Sequence, residues 1–211
     1  MHASASSTTV RSATANRFAW RPVDIIVASV LGVAIGLVFS GWNTVGYAWW
    51  GAMDALTPGL GGVALGIWLL GGVVGGLVIR KPGAALFVEL VAATVSALLG
   101  NQWGVGTIMS GLAQGLGAEL VFLAFFYRRF TLPVSILAGV GAALGAVVLE
   151  LFYGTTPNIL KTLEYNLIYL GVAVASGIVL AGIVGWLLVR ALAATGALSR
   201  FAAGREARTE V

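Results

Sequence analysis

The stretch LGGVALGIWLLGGVVGGLVIRKPGAALFVELVAATVSALLG, residues 60–100, decides the fold. It holds two apolar runs, each close to the ~20 residues that cross a bilayer as a helix. Between them stand Arg80, Lys81, Pro82 and Gly83. Paired cations mark the cytoplasmic edge of a membrane, and a proline followed by a glycine turns the chain there. One carboxylate, Glu89, interrupts the second run.

The same punctuation recurs on both sides. Apolar segments fall at roughly 23–41, 60–79, 83–100, 106–127, 132–152 and 165–190. All five prolines, Pro22, Pro58, Pro82, Pro133 and Pro157, lie at segment edges or in connections, where a missing N–H is harmless. Of the 211 residues, 59% are hydrophobic and only 9% charged. An average globular domain is about 25% charged, so lipid must be most of the solvent. The 30 glycines fit helices in close backbone contact, because lipid tails give helices no hydrophobic reason to associate. The pattern predicts an all-α integral membrane protein with six transmembrane helices in one bundle.

Basic residues set the orientation. Arg11, Arg17 and Arg21 precede the first segment, Arg80 and Lys81 join the second to the third, and Arg128 and Arg129 join the fourth to the fifth. Arg190, Arg200, Arg205 and Arg208 follow the sixth, and Lys161 alone lies on the other side. By the positive-inside rule both termini are cytoplasmic. Residues 1–20, rich in Ser, Thr and Ala, read as a disordered cytoplasmic tail, 21–190 as the transmembrane domain and 191–211 as a cytoplasmic C-terminal tail. A cleaved signal peptide is the competing reading of the first segment; a full-length apolar span with five more behind it argues against that.

Composition also removes functions. Without cysteine there is no disulfide, thiolate nucleophile or Cys-ligated metal, and the single histidine, His2, cannot build a triad or metal site. The net charge of +4 is absorbed by topology, so no nucleic-acid partner is implied. No Walker A motif or nucleophile–base pair is present, which points away from an enzyme and from any resident cofactor.

The informative residues are the acids inside the spans. Glu89 is nine residues from Arg80 and Glu119 nine from Arg128, so each lies ~13–14 Å from the cytoplasmic edge. A short connection at 101–105 makes the third and fourth spans antiparallel neighbours, which brings both carboxylates to one level. Gln114 lies about five residues further out, with Trp68 at a similar height. A carboxyl in hydrocarbon costs several kcal/mol unless something recovers it. A protonated Glu bonded to a neighbouring carbonyl is the structural alternative, and a proton relay a third. A bound heterocycle with amine donors, ring-nitrogen acceptors and a positive charge would satisfy the pair, with Trp103 and Trp68 as stacking faces and Asn166 and Tyr169 closing the site. The outer edge is richer in aromatic side chains than the cytoplasmic edge, whereas an interfacial belt occupies both. Ala28, Gly32 and Gly36 form a small-residue ridge on the first span, available for internal packing or for another subunit.

The runs Arg80-Lys81-Pro82-Gly83-Ala84-Ala85 with Glu89-Leu90, Gln114 through Phe122, and Trp20-Arg21-Pro22-Val23-Asp24-Ile25-Ile26 resemble the YkoE family over roughly residues 18–190. That resemblance implies a substrate-binding subunit (S component) of an energy-coupling factor transporter in a bacterial plasma membrane, associated with thiamine and its hydroxymethylpyrimidine precursor. It also implies partners, a transmembrane coupling subunit and two cytoplasmic ATPases, and a first helix whose small-residue row docks on the coupling subunit. Glycines at two positions where the family commonly has alanine weaken that last correspondence. The alternative function is a stand-alone proton-coupled carrier for a small cationic aromatic compound, with the same glutamates as a relay.

The orientation is directly testable because the chain has no cysteine. In intact cells, Thr155→Cys is expected to react with an impermeant maleimide and Ser199→Cys only after the membrane is opened. The reverse pattern would invert the topology.

Overall fold

The computed structural model describes residues 18–209, which are all-helical with no strand among them. Residues 1–17, 210 and 211, including His2, Arg11 and Arg17, lie outside the described residues, and so does most of the expected disordered tail.

Helix α1, Pro22–Leu56, starts with proline at its first position, while the Asp24 side chain accepts from the Arg21 N–H at 2.7 Å. It does not stop near residue 41 as hydropathy suggests. Gly41, Gly46 and Gly51 each weaken a helix by only about 1 kcal/mol, and the first real breaker is Pro58. Thr57, restricted by that proline, is extended at φ −149° and ends the helix. At 35 residues α1 is about 52 Å long, well beyond a ~30 Å hydrocarbon core, so its aromatic C-terminal third projects past it.

The second segment is one rod of two kinds, a 3-10 helix over Leu60–Leu69 and then α2, Leu70–Ile79. Helix α3, Ala84–Leu98, is framed by Gly83 and Gly100, both at positive φ (83° and 91°), a conformation glycine adopts without strain. Next come α4, Gly106–Ala124, and α5, Leu132–Phe152. The last long rod joins α6, Leu163–Ser176, through a π-helical stretch, Gly177–Val184, to α7, Gly185–Ala194. A short helix, α8, Ala202–Thr209, then folds back.

Five of these rods are long and apolar enough to cross a membrane: Pro22–Leu56, Leu60–Ile79, Gly106–Ala124, Leu132–Phe152 and Leu163–Ala194. The sixth, α3, has 15 residues and is about 22 Å long. All ten residues of α2 are buried, so it is the central helix, apolar on every side. Around it α1 packs on α3, α3 on α4, α4 on α5 and α5 on the π stretch, while the 3-10 segment closes the ring between α1 and α6. Outward-facing Ile26, Val30, Val33 and Leu37 of α1 are more than 40% exposed, a face suited to lipid.

The Arg80–Lys81 connection, the residues before α1, the turn after α4 and the C-terminal helix meet at one end of the bundle. Lys81 pairs with Asp24, Arg80 with Glu206, the Trp20 indole donates to the Pro82 carbonyl at 2.9 Å, and Phe18 packs edge-on to Tyr127. Packing elsewhere relies on missing side chains. Where α4 crosses α5, a Cβ on Gly117 would lie 2.0 Å from the Gly141 carbonyl oxygen. Gly117→Ala should therefore lower stability by about 1–3 kcal/mol. Gly41→Ala, with nothing within 4 Å of the new methyl, should not. Thermal unfolding in detergent compares the two.

Candidate functional site

Helix α3 begins inside the bundle without a Ser, Thr, Asp or Asn cap, since Gly83 precedes it, while α2 continues from the 3-10 helix, its Leu70 N–H donating to the Ile67 carbonyl, and presents the Gly72 N–H to α3. The first N–H groups of a helix have no intrahelical acceptor, and each costs free energy if left unpaired away from water. Both buried glutamates answer that need. Glu119, on α4, accepts from the Gly83 N–H at 2.6 Å through Oε1 and from the Ala85 and Leu86 N–H groups at 2.9 and 3.3 Å through Oε2. The Tyr127 hydroxyl adds a fourth bond at 2.6 Å. Burial first, and then the adjoining Glu119, push the Tyr127 phenol above its ordinary pKa, so it remains a donor. Glu89, on α3, is 1% exposed and accepts from the Gly72 N–H at 2.5 Å, at the third position of α2. The positive end of the α3 dipole favours the Glu119 carboxylate placed there.

This arrangement corrects the depth estimate. Glu119 sits at the Gly83–Leu86 turn near the cationic end, while Glu89 lies about one turn further along α3 and faces α2. They do not share a level, because α4 reaches the start of α3 before its own last turn. Nor does an open space surround Glu89: a Cβ on Gly71 would come 2.7 Å from its Oε2 and one on Gly115 3.0 Å from its Cβ.

Outward of Glu89 runs a continuous polar and aromatic chain. With its amide oriented to match its neighbours, Gln114 donates to Glu89 Oε1 at 3.3 Å and to the Trp68 carbonyl at 3.0 Å, and accepts from the Ser110 hydroxyl at 3.0 Å. The Trp68 indole donates to Asn43 Oδ1 at 2.9 Å, and Asn43 donates to the Ser96 hydroxyl at 2.8 Å. Trp103 packs edge-on against Trp68 and Tyr47, with ring centroids 5.6 and 5.4 Å apart, and Trp42 meets Trp68 at 6.4 Å. Four of the expected site residues, Glu89, Gln114, Trp68 and Trp103, are thus brought together.

Asn43, Ser96 and Tyr47 extend the group beyond what sequence reasoning selected. The signal for Asn43 was present. It continues the helical stripe Ala28, Gly32, Gly36, Phe39, all buried, once α1 is allowed past residue 41.

That stripe also corrects the docking expectation. Ala28 is 0% exposed, and Gly32 and Gly36 face α3 rather than a partner: their Cβ atoms would lie 2.6 and 2.7 Å from Val91 and Val95 side chains. The row is the seam between α1 and α3.

Tyr169 belongs to a second cluster across the 3-10 segment. Its hydroxyl donates to Glu150 Oε2 at 2.7 Å, its ring stacks on Tyr165 with centroids 5.8 Å apart, and the Lys161 ammonium sits over Tyr165 at 3.9 Å. Burial lowers the Lys161 pKa, against the pull of Asp54 and Glu150. Asn166 joins neither group; its amide donates to the Asn158 and Thr162 carbonyls at 2.8 and 3.0 Å and holds the connection before α6. Among the described residues no three His, Cys, Asp or Glu side chains converge as a metal-ligand group.

Residues 23–145 match the family described as ABC-type cobalt transport system, permease component. The chain is 36% identical over 191 residues to YkoE of Bacillus subtilis (strain 168), assigned as an HMP/thiamine permease protein, covering 89% of this chain and 92% of that one. The solved crystal structure of an S-component of an ECF transporter superposes with a TM-score of 0.83 at 35% identity, covering 91% of this chain and 95% of the other.

The capping geometry predicts which acid is scaffold. Glu119→Gln should destabilise the protein by about 1–3 kcal/mol, since buried N–H donors lose a charged acceptor, and Tyr127→Phe by about 0.5–1.5 kcal/mol. Melting curves of the two variants beside wild type check both values.

Proposed function

Because the chain belongs to the YkoE family, we propose that it is the membrane substrate-capture subunit of an energy-coupling factor importer, binding thiamine or its hydroxymethylpyrimidine precursor. The observation that carries this is the near full-length agreement in sequence and fold with YkoE and with an ECF S-component. The chain is a transport subunit, not an enzyme. A transmembrane coupling subunit and two ATPases would supply the energy. The convergence of the cationic connections at one end of the bundle supports six spans with both termini cytoplasmic.

The description of the matched family names cobalt, but the donor set here favours an organic cargo. In this reading Gln114 and Glu89 form the floor of the site, Trp68 and Trp103 give stacking faces, and Asn43 and Ser96 fix the Trp68 indole. Glu119 is left to the scaffold. In the Glu150, Tyr169 and Tyr165 cluster the Tyr165 ring already carries one cation, the Lys161 ammonium, and the cluster is suited to a thiazolium. Between the two clusters lies the 3-10 segment, packed by Gly61 against Trp50 and by Gly62 against Tyr169. Ten residues of 3-10 helix is long for that conformation, which often marks a hinge. We infer that this segment moves to admit the ligand.

Tryptophan quenching with purified protein tests the assignment. Thiamine should bind wild type, and Gln114→Ala and Trp68→Phe should weaken it at least tenfold, about 1.4 kcal/mol. Glu119→Gln, if folded, should bind as wild type. Glu150→Gln should weaken thiamine more than the uncharged pyrimidine precursor. Absence of quenching by either compound would overturn the substrate class, and uniform affinity across the variants would overturn the site.

A further inference from the structure

At the cationic end lies a cleft of about 220 Å³ that the capture of a vitamin does not use. Its walls combine apolar side chains, among them Leu77, Trp186 and Val189, with two guanidiniums, Arg80 and Arg190. Both are held in place by rings. Arg80 lies over Phe130 at 4.7 Å and Arg190 over Trp186 at 4.8 Å. Arg80 is further fixed by a left-handed backbone (φ 59°) at the end of α2 and by its Nε donating to the Leu77 carbonyl at 3.0 Å. Its two terminal nitrogens grip one carboxylate, Glu206, at 2.6 and 2.7 Å. Among the described residues Glu206 is the acid lining the cleft, and it comes from α8, the short helix folded back beyond Ala193.

A planar guanidinium that binds a carboxylate in a fork binds a phosphate oxygen pair the same way. The cleft stands where α2, α5 and α7 reach the cationic edge of the bundle, the level of lipid phosphates. Its apolar walls suit the upper part of an acyl chain. At the same end Lys81 and Arg21 share one acid, Asp24, and Arg200 and Arg205 add further positive charge, which favours a net negative headgroup over one carrying its own ammonium. We propose that this cleft binds the headgroup of an anionic phospholipid between Arg80 and Arg190, with Glu206 as an intramolecular occupant that the lipid phosphate displaces. α8 and the lipid are then competitors, and lipid composition sets how far the C-terminal helix is released. The proposal rests on the membrane reading of the helices and not on the identity of the transported compound.

Native mass spectrometry of the full chain, released from micelles holding equal phosphatidylglycerol and phosphatidylcholine, reads the competition. Wild type should retain phosphatidylglycerol at least threefold over phosphatidylcholine. Glu206→Gln should raise that ratio about threefold further by removing the competing charge, and Arg190→Gln should bring it to near unity. Melting temperature and thiamine binding, followed in the same samples, separate a lost lipid site from a misfolded chain or from a wrong substrate. Equal retention of the two lipids by wild type, an unchanged ratio in folded Arg190→Gln, or a ratio lowered by Glu206→Gln would each overturn the proposal.

Discussion

A helix that starts inside a membrane must find acceptors for its first N–H groups, and there is no water to supply them. Helix α3 starts at Ala84 among buried neighbours, whereas the central helix α2 continues at Leu70 from the 3-10 helix before it. Glu119 caps α3 from α4, and Glu89 on α3 takes the Gly72 N–H of α2, so each acid holds two helices together. Because every residue of α2 is buried, the position of Gly72 against Glu89 also locates the helices packed around it. Carboxyl groups are tolerated at these points because peptide donors are already aimed at them.

The short Arg80–Gly83 connection gathers these constraints. It ends α2, starts α3, and is tied to α1 through Lys81 and Asp24, to the residues before α1 through Trp20 and Pro82, to α4 through Glu119, and to the last helix through Arg80 and Glu206. Five elements are therefore referenced to four residues. Helices α2 and α3 leave this hub side by side and reach Glu89 and Trp68.

Much of this was legible in the order of residues, and the reasons for the rest are specific. Prolines and paired cations place every apolar segment, since a missing N–H and an unpaired charge are both excluded from hydrocarbon. Hydropathy could not find the end of α1, because Trp42 to Leu56 lose apolar character without acquiring a helix breaker. The Ala28, Gly32, Gly36 ridge was visible, but small residues permit close approach without saying whose backbone approaches; Phe39 and Asn43 on the same stripe give the direction. Depth counting placed Glu119 too far in, since it assumed that Arg128 follows α4 directly, whereas the helix ends at Ala124 and Phe126 and Tyr127 turn with positive φ. A helix start at Gly83 with no capping side chain was the clue to where its carboxylate would be spent.

Glu89 belongs to the scaffold and to the proposed site at once, and this narrows what the site can accept. Its two oxygens are occupied, one by the Gly72 N–H and one by the Gln114 amide. A ligand acceptor that drew the Gln114 N–H away would leave a buried oxygen without a donor, at a cost of about 1–3 kcal/mol. A group that offered only a donor could add to the remaining lone pairs of Glu89 but would leave the Gln114 bond as it is. An aminopyrimidine carries a ring nitrogen that accepts beside an exocyclic amine that donates. It can take the Gln114 bond and return one to Glu89 in the same step, so no polar group is orphaned and the bond from Gly72 stays in place. Selectivity in this reading comes less from the strength of any single contact than from the penalty on a heterocycle that takes the Gln114 bond and returns none to Glu89.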